Sequence, residues 1–226
     1  ADDLAEGHVA EAEIVGDHAV LGVAPAMDGF AVALDVVSDD LVAVEHVLLS
    51  LAAETVQGAA HAACFSLEAD GDGLGLEVVD VRPLPKSEHK NITFRQADLM
   101  NPQDLGQTDS LSCLHAIEHF GLGRYTDPID INGHIKGLTN LVGLVSEGGR
   151  LYVSFPIGQA DEVHFNAHRV FHVTSIFEHP SIQQHMSLRR FDYVDDRGDL
   201  HLDTSITEVD KSIRYGCGIY TFERSN

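Results

Sequence analysis

Positively charged side chains are missing from the first third of the chain. Residues 1–81 contain neither Lys nor Arg, the first cation is Arg82, and 17 of the 36 acidic residues fall within residues 1–80. The formal net charge is −22. Because nucleic acids and anionic membrane surfaces are bound mainly through Lys and Arg, we expect neither of them as a partner.

Cysteines are also scarce, and the chain has no long hydrophobic run. Cys64, Cys113 and Cys217 are the three cysteines, and no two of them have the C-x-x-C spacing. An odd, scattered set favours reduced thiols in the cytoplasm over a disulfide framework. No uncharged apolar run reaches about 18 residues and no basic leader is present, so we predict neither a transmembrane helix nor a signal peptide.

From residue 76 onward, strand-like and helix-like segments alternate with short turns, a pattern typical of an α/β fold. The chain has 226 residues with 44% apolar content, enough for one sizeable core. We predict a principal domain over residues 76–226, with residues 1–75 as a divergent acidic segment. The predicted strands cover residues 76–81, 91–96, 110–117 and 150–155, the predicted helices residues 133–145 and 174–184, and a C-terminal antiparallel strand pair residues 188–194 and 218–222.

The stretch 109–125 is the most informative part of the sequence. A run of small and apolar residues ends abruptly in ionisable side chains and glycines, which are characteristic of a strand that leads into a functional loop. Open α/β sheets bind their ligands at the carboxyl ends of their strands. The side chains predicted to lie there are His115, Glu118, His119, Arg124 and Tyr125.

His115, Glu118 and His119 also match the His-x-x-Glu-His motif of inverted zinc peptidases. That motif works on a helix, where residues four apart share one face. In a strand, two residues four apart are separated by roughly 13 Å, at about 3.3 Å per residue, and cannot bind one metal ion. We therefore assign no metal ligands, and a metal-dependent hydrolase stays an alternative.

Four motifs resemble those of class I S-adenosylmethionine-dependent methyltransferases. They are Val-Val-Asp at residues 78–80, Gln-Ala-Asp at 96–98, Cys-Leu-His-Ala-Ile-Glu-His at 113–119 and Glu-Gly-Gly-Arg-Leu at 147–151. The resemblance implies a Rossmann-like α/β fold with a mostly parallel sheet and an antiparallel strand pair at the C-terminus. It also implies S-adenosylmethionine as the cofactor.

A narrower resemblance covers residues 78–178. It is carried by His-Ala-Ile-Glu-His-Phe-Gly-Leu-Gly-Arg-Tyr at residues 115–125, Ser-Phe-Pro-Ile-Gly at 154–158 and Phe-Asn-Ala-His-Arg-Val-Phe-His at 165–172. These segments look like an uncharacterised methyltransferase-like family, domain of unknown function 268. The resemblance implies a fold and a cofactor but no established substrate.

The methyltransferase resemblance assigns roles to individual residues. It implies that Asp80 binds the ribose hydroxyls and that Asp98 lies beside the adenine amino group. The residues it places at the cofactor are Asp80, Val81, Arg82, Asp98, Leu99 and His115. Glu118 or His119 is the predicted base, with His168 as second choice. The predicted contacts to a small molecule or sugar precursor are Arg124, Tyr125, Asp127 and Arg169, since arginine can hold an anionic group through two hydrogen bonds.

The sequence departs from this pattern before Asp80, where a glycine-rich turn and a helix are expected. Gly75 lies only five residues before Asp80, and no helix fits between them. Residues 33–38 resemble a first strand and residues 42–63 a helix, but Val37 stands where glycine is expected. A branched side chain there would hinder close approach of the backbone to the cofactor. A non-catalytic Rossmann-like binding module is therefore a second alternative.

Three explanations remain open for the acidic segment. It could be a divergent cofactor loop with an acidic surface, an appendage that binds a partner, or a sequence not selected for this fold, such as the product of a frame shift. Residues 82–226 carry the other 19 acidic residues against all 14 Lys and Arg. This milder excess fits poorly with salt adaptation of the whole protein.

Overall fold

The computed structural model divides the chain into two compact units, residues 1–60 and 61–226, whereas the sequence places the boundary after residue 75. The structure describes the backbone of part of the chain, and it describes side chains from residue 77 onward. The described residues are 11–15, 18–22, 35–37, 64–70, 73–83, 92–101, 104–123, 127–164 and 167–225.

The first unit contains a three-stranded antiparallel sheet. Its strands are β1 (Glu11–Val15), β2 (His18–Gly22) and β3 (Asp35–Val37), in the order β1-β2-β3. The segment 33–38, which resembles the first strand of a methyltransferase, contributes β3, and β3 pairs with β2. The predicted helix over residues 42–63 lies outside the described residues.

The second unit is built on a ten-stranded mixed sheet with the order β12-β11-β13-β8-β7-β4-β5-β6, extended by β10 and β9 beside β8. The strands are β4 (Cys64–Asp70), β5 (Gly73–Asp80), β6 (Ile92–Gln96), β7 (Thr108–Leu114), β8 (Val145–Gly158), β9 (Glu162–Val163), β10 (Arg169–His172), β11 (Met186–Val194), β12 (Leu200–His201) and β13 (Gly216–Arg224).

The run β6-β5-β4-β7-β8 reproduces the 3-2-1-4-5 strand order of a doubly wound α/β sheet. The Rossmann-like architecture is therefore confirmed, but the prediction of a mostly parallel sheet is confirmed only in part, because the sheet is mixed. β4 occupies the position of the first strand and runs antiparallel to both β5 and β7. The parallel pairs are β5 with β6, β7 with β8 and β8 with β10, and the other described pairs are antiparallel.

The direction of β4 also decides the role of the glycines before Asp80. Cys64 pairs with Val79 near the carboxyl end of β5, while Asp70 pairs with Gly73 at its amino end. The connection between β4 and β5 therefore lies at the edge of the sheet opposite Asp80. Gly73 and Gly75 belong to the first half of β5 at that edge, so they cannot form a turn beside Asp80.

Helix α1 (Gly133–Leu144) links β7 to β8, as the apolar spacing predicts. Leu138, Leu141 and Val142 are buried and pack with β7 and β8 in the core. Gly148 has a φ of +78°, and the pairing of β7 with β8 shifts register around it, from Thr108 opposite Val145 to Ser110 opposite Arg150. The Gly-Gly pair thus forms a bulge inside β8 instead of the predicted turn before it.

The C-terminal strand pair is also confirmed. β11 and β13 pair antiparallel, and β13 continues the sheet on β8. β8 runs through Pro156, where the sequence predicts its end. The pairing with β7 stops at Ser154 and that with β10 starts at Ile157, so the missing N–H of Pro156 falls between the two ladders.

The predicted helix over residues 174–184 is split in two. A 3-10 helix covers Ser175–Glu178, and helix α2 (Pro180–His185) follows it. Pro180 cannot continue a helix but is favoured in the first turn of a new one. The side chain of His179 caps α2, whereas Thr174 makes no side-chain cap. Neither α1 nor α2 in the described part of the chain has the length and apolar character that a membrane crossing requires.

Candidate active site

The candidate site lies at the edge of the sheet where β5, β6, β7 and β8 end. β5 and β7 are both antiparallel to β4 and therefore run in the same direction, each parallel to its outer neighbour. Their carboxyl ends, at Asp80, Gln96, Leu114 and Gly158, consequently share one edge. This is the edge at which open α/β sheets bind ligands.

An open cleft of about 360 Å³, counting the space that opens to solvent, lies at this edge. The residues that line it are Asp80, Val81, Ala97, Asp98, Leu99, Met100, His119, Phe120 and Asp127. The structure thus brings together six residues named from the sequence: Asp80, Val81, Asp98, Leu99, His119 and Asp127.

Asp80 is held tightly by Arg82. Its Oδ1 accepts hydrogen bonds from the backbone N–H (2.8 Å) and the Nε–H (3.0 Å) of Arg82, and its Oδ2 accepts one from Nη2 (2.6 Å). Asp80 is only 2% exposed. A carboxylate that binds a planar guanidinium through both oxygens has little capacity left for ribose hydroxyls. Ribose binding at Asp80 therefore requires Arg82 to move.

Asp98 organises the turn that follows β6. Its Oδ1 accepts from the backbone N–H of Met100 (2.9 Å), and its Oδ2 accepts from the side-chain amide of Asn101 (2.6 Å). Leu99 and Met100 are buried by the same turn. The backbone N–H of Ala97 donates to the carbonyl of Asp80 (3.0 Å), which joins the ends of β5 and β6. The cleft thus has three acidic residues, Asp80, Asp98 and Asp127, beside apolar side chains.

A second group of polar side chains lies at the ends of β7 and β13. His115 follows β7 with a φ of +48°, a left-handed conformation that is costly for most residues and is found at functional sites. Its Nδ1 is 3.3 Å from Oε1 of Glu118, and its Nε2 is 3.2 Å from Sγ of Cys217. Glu118 is 2% exposed and is not among the residues that line the cleft.

These neighbours change the pKa of His115. Burial lowers the pKa of this histidine, but the sulfur of Cys217 and the carboxylate of Glu118 more than offset burial and raise the pKa well above its ordinary value. The Oε2 atom of Glu118 is buried and has no hydrogen-bond partner among the described residues. An unsatisfied buried carboxylate oxygen is costly and is typical of functional sites.

His119 lies between this polar group and the cleft. Its Nδ1 is 3.0 Å from the carbonyl oxygen of Ala167, and its Nε2 is 3.8 Å from Oε1 of Glu118. Because a carbonyl only accepts, the Nδ1 atom carries a proton, and Nε2 is the acceptor nitrogen of the neutral ring. The ring of His119 also meets the ring of His168 edge-on, and the Nε2 atom of His168 is 2.9 Å from the hydroxyl of Tyr215.

The side chain of Arg169 holds the loop after β7 in place. This side chain is 4% exposed and donates to the carbonyls of Glu118 (3.2 Å), Phe120 (2.7 Å) and Ile131 (3.4 Å). Burial lowers the pKa of Arg169. The guanidinium is engaged by the backbone rather than turned into the cleft, so its geometry does not favour the predicted contact to a substrate anion.

Asp127 has a similar role in this loop. Its Oδ2 accepts from the backbone N–H groups of Gly121 (2.8 Å) and Gly123 (3.3 Å), although it also lines the cleft. Arg124 and Tyr125, the other two predicted substrate contacts, lie outside the described residues. Of the four predicted substrate contacts, the structure therefore describes Asp127 and Arg169.

The metal alternative gains no support from the described side chains. No group of three His, Cys, Asp or Glu in this part of the chain has the geometry of a metal site. His115 precedes a 3-10 helix that covers only Ile117–His119, so the His-x-x-Glu-His segment does not form the α-helix that the zinc motif needs.

Cys217 and Tyr215 are site residues that the sequence reasoning missed. Cys217 is 102 residues from His115, and Tyr215 is 47 residues from His168. Neither has a local motif. The signal that the sequence offers is the predicted C-terminal strand over residues 218–222. A strand antiparallel to β8 begins at the edge of the sheet where β8 ends, so the residues just before 218 lie near the site.

Comparison with known proteins supports the family resemblance. Residues 97–196 match the profile of a family described as Caenorhabditis protein of unknown function, DUF268. The matched residues overlap the segment 78–178, over which the motifs carry the same resemblance, and they are 100 of the 226 residues of the chain. No curated protein matches the chain significantly.

Several solved structures show weak similarity to the chain. The N-methyltransferase NodS from Bradyrhizobium japonicum WM9, in complex with S-adenosyl-L-homocysteine, is 12% identical with a TM-score of 0.44, and the alignment covers 66% of each chain. The [4+2]-cyclase SpnF is 10% identical with a TM-score of 0.42, over 60% of this chain and 57% of that one. The chain thus spans less than two thirds of the length of either protein.

A 1,6-didemethyltoxoflavin-N1-methyltransferase from Burkholderia thailandensis, with bound 1,6-didemethyltoxoflavin and S-adenosylhomocysteine, is aligned over more of its length. It is 12% identical with a TM-score of 0.44, over 96% of this chain and 100% of that chain. The assignment of the fold depends on the strand order of the described sheet and not on these likenesses.

Proposed function

We propose that the protein transfers a methyl group from S-adenosylmethionine to an oxygen or nitrogen nucleophile of a small molecule, such as a sugar precursor. The observation that carries the proposal is the cleft at the carboxyl edge of the sheet, where Asp80 and Asp98 follow adjacent parallel strands. Carboxylates at these positions suit the hydroxyl and amino donors of a nucleoside.

The residues of the cleft fit the adenosine half of the cofactor. Leu99, Met100 and Phe120 supply an apolar wall for a planar base, and Asp98 would accept from its amino group. Asp80 would hold the ribose once Arg82 releases it. The remaining part of the cofactor has no equivalent support, because the glycine hairpin between β4 and β5 lies at the opposite edge of the sheet.

When bound, the cofactor supplies an electrophilic methyl group, so the protein must align the acceptor and remove its proton. His119 is the side chain best placed for the proton, since it lines the cleft and its Nε2 is the acceptor nitrogen of the neutral ring. Glu118, with Oε1 at 3.8 Å from that atom, would stabilise the charged ring after it takes the proton. His168 would be the second choice for the proton, because its ring contacts the ring of His119 edge-on.

Calorimetric titration with S-adenosylhomocysteine tests the cofactor site. We expect saturable binding by the full chain and at least tenfold weaker binding by the Asp80→Asn variant, because the neutral amide is a poorer acceptor for two hydroxyl groups. Asp104→Asn is the matched control, since Asp104 is exposed and does not line the cleft. No detectable heat at millimolar ligand would contradict the proposal.

The catalytic part needs a separate measurement. Transfer of a radioactive methyl group from S-adenosylmethionine to a panel of sugar nucleotides should occur with the unaltered protein and stop in His119→Gln, while that variant still binds S-adenosylhomocysteine. Binding by the unaltered protein without transfer to any hydroxyl or amine compound would favour the non-catalytic binding module instead.

A further inference from the structure

Cys217, His115 and Glu118 form a line of three interacting side chains. Sγ of Cys217 is 3.2 Å from Nε2 of His115, and Nδ1 of the same ring is 3.3 Å from Oε1 of Glu118. A thiol, an imidazole and a carboxylate in this order, each within or near hydrogen-bond reach of the next, are the components of a nucleophile triad. The proposed methyl transfer does not use this thiol.

The three side chains are held by different parts of the fold. Cys217 is the second residue of β13 and pairs with Pro156 on β8 and Val194 on β11. The backbone N–H of His115 donates to the carbonyl of Ser154 (3.0 Å), which fixes the residue beside β8. The arrangement therefore depends on the whole sheet and is not the chance meeting of two loop residues.

Glu118 orients the imidazole ring of His115. Its side chain is 2% exposed, Oε1 faces His115, and Oε2 has no partner among the described residues. A buried carboxylate that faces Nδ1 fixes the ring so that the other nitrogen, Nε2, faces the sulfur. It also stabilises the charged ring that forms when His115 takes the proton of the thiol.

The other titratable groups around the thiol are phenols and a second histidine. Burial raises the pKa of Tyr215, and the charges of Glu118 and Cys217 raise it further. Burial raises the pKa of Tyr220 well above its ordinary value, and the charge of Cys217 raises it further. Both phenols therefore stay neutral between pH 6 and pH 8. The other ionisable side chains near the thiol in the described part of the chain are His115, Glu118 and, beyond Glu118, His119.

We propose that Cys217 is an oxidation site whose thiol, activated by His115 and Glu118, reduces a small peroxide. The proton of the thiol lies on the charged ring of His115 when the sulfur attacks one oxygen of hydrogen peroxide. The oxygen–oxygen bond breaks, the sulfur becomes a sulfenic acid, and the departing oxygen leaves as water after it takes a proton from His115. One peroxide and one thiol thus give one sulfenic acid and one water.

Burial defines the size of the reactant. Cys217 is 0% exposed, whereas the side chain of His115 is 29% exposed and borders the thiol. A reagent must pass beside the ring and reach a sulfur that has no open surface. Hydrogen peroxide is small and uncharged, so it meets this requirement better than a bulky or anionic electrophile.

Cys113 is a control within the same chain. It is also 0% exposed and lies in a strand, on β7, with no histidine contact comparable to that of Cys217 in the described structure. The full-length protein is treated with hydrogen peroxide at pH 6.5 and quenched with catalase. It is then unfolded and alkylated with N-ethylmaleimide, and peptide mass spectrometry measures the remaining thiol at each cysteine.

We expect Cys217 to be oxidised at least tenfold faster than Cys113, because burial is equal and only Cys217 has the histidine. The variant His115→Asn should slow the loss of Cys217 by about tenfold and leave Cys113 unchanged. Asparagine is chosen because it tolerates the left-handed backbone of residue 115. Glu118→Gln should slow oxidation of Cys217 by a smaller factor, about threefold.

The pH dependence separates activation from mere exposure. A thiol without a base must ionise in water, with an ordinary pKa near 8.5, so its rate falls about tenfold for each unit below that value. We expect this steep fall in His115→Asn and a much flatter profile between pH 8 and pH 6 in the unaltered protein. Equal rates at Cys113 and Cys217, or identical pH profiles for the unaltered protein and a folded His115→Asn or Glu118→Gln variant, would overturn the proposal.

Discussion

Two regions at the carboxyl edge of the sheet differ in how their polar side chains are held. In the cleft at the ends of β5 and β6, the partners are neighbours in the chain. Arg82 binds Asp80 from two residues away, and Asn101 binds Asp98 from three residues away. At the ends of β7 and β8 the partners are distant, as in the contact of His115 with Cys217 across 102 residues.

This difference predicts how each region can change. A local pair such as Arg82 with Asp80 can open by rotation of one side chain, because its partners need no other part of the fold. The contact of His115 with Cys217 joins residues of distant parts of the sheet, so its geometry also depends on how those strands lie relative to each other. The cleft is therefore the adaptable part of the site and the histidine region the rigid part.

The largest effect is expected where the rigid region turns after β7. Gly121 has a φ of +75°, and a Cβ there would overlap the carbonyl oxygen of Asp130. We expect Gly121→Ala to lower the free energy of unfolding by on the order of 4 kcal/mol, from backbone strain plus displacement of the loop. Urea unfolding measures the loss.

Gly106→Ala is the matched control for that substitution. Gly106 has nearly the same φ, +77°, but a Cβ there would meet no atom within 4 Å. It should lose only about 1 kcal/mol, the cost of the left-handed backbone alone. Equal losses for the two variants would show that the turn after β7 is not rigidly packed.

Removal of Arg169 should have the next largest effect. Arg169→Ala deletes a buried guanidinium that donates to three backbone carbonyls, and we expect a loss of about 3 kcal/mol. Arg189→Ala is the control, because Arg189 forms an exposed ion pair with Glu223, and ion pairs in solvent contribute little to stability. A similar small loss for both would contradict the role of Arg169 as the support of the loop.

Low pH should lower the free energy of unfolding through His134. Burial, reinforced by the charge of Arg169, lowers the pKa of His134 to about 4. Between about pH 6.5 and pH 4, the unfolded chain takes up a proton that the folded chain does not, so stability is complete above this window and falls as the pH drops through it. The expected loss is on the order of 2 kcal/mol.

The variant His134→Leu should make unfolding less sensitive to pH within this window, as measured by urea unfolding at pH 7 and pH 4.5. His185→Gln should not, because His185 is exposed at the end of α2. His115 acts with the opposite sign. Its raised pKa contributes stability that is complete below about pH 6.5 and is lost as the pH rises through the folded value, so the two histidines can be separated by their pH windows.

The smallest effect tests the adaptable region. Because Arg82 occupies both oxygens of Asp80, we expect Arg82→Ala to bind S-adenosylhomocysteine about fivefold more tightly, which corresponds to about 1 kcal/mol. Arg95→Ala, which removes the ion pair between Arg95 on β6 and Glu77 on β5, should leave binding unchanged. Weaker binding in Arg82→Ala would mean that Arg82 holds the ligand rather than competing with it.

The sequence predicted those features that depend on local spacing. Helix α1 follows from apolar residues at intervals of three and four, and Asp80 and Asp98 were placed at strand ends because each ends a short β-branched or alternating run. The direction of β4 was not predictable, since a strand reads the same in either direction. Its pairing with β5 and β7 is decided by the hairpin that precedes Asp80.

The sequence likewise predicted only part of the candidate site. The motif at 113–119 located the ionisable side chains, but it could not show that Glu118 turns into the core while His119 lines the cleft. Arg169 resembles a substrate contact in sequence because a charged residue after a strand is usually exposed. Its burial depends on three carbonyls that are 38 to 51 residues away.

Hydrogen exchange resolved by peptide, with and without S-adenosylhomocysteine, tests most directly whether the cleft binds the nucleoside. We predict slower exchange at residues 80–83 and 97–101, where the ligand covers the ends of β5 and β6, and little change at the β4–β5 hairpin at the opposite edge. Protection confined to that hairpin, or no protection at saturating ligand, would contradict the account.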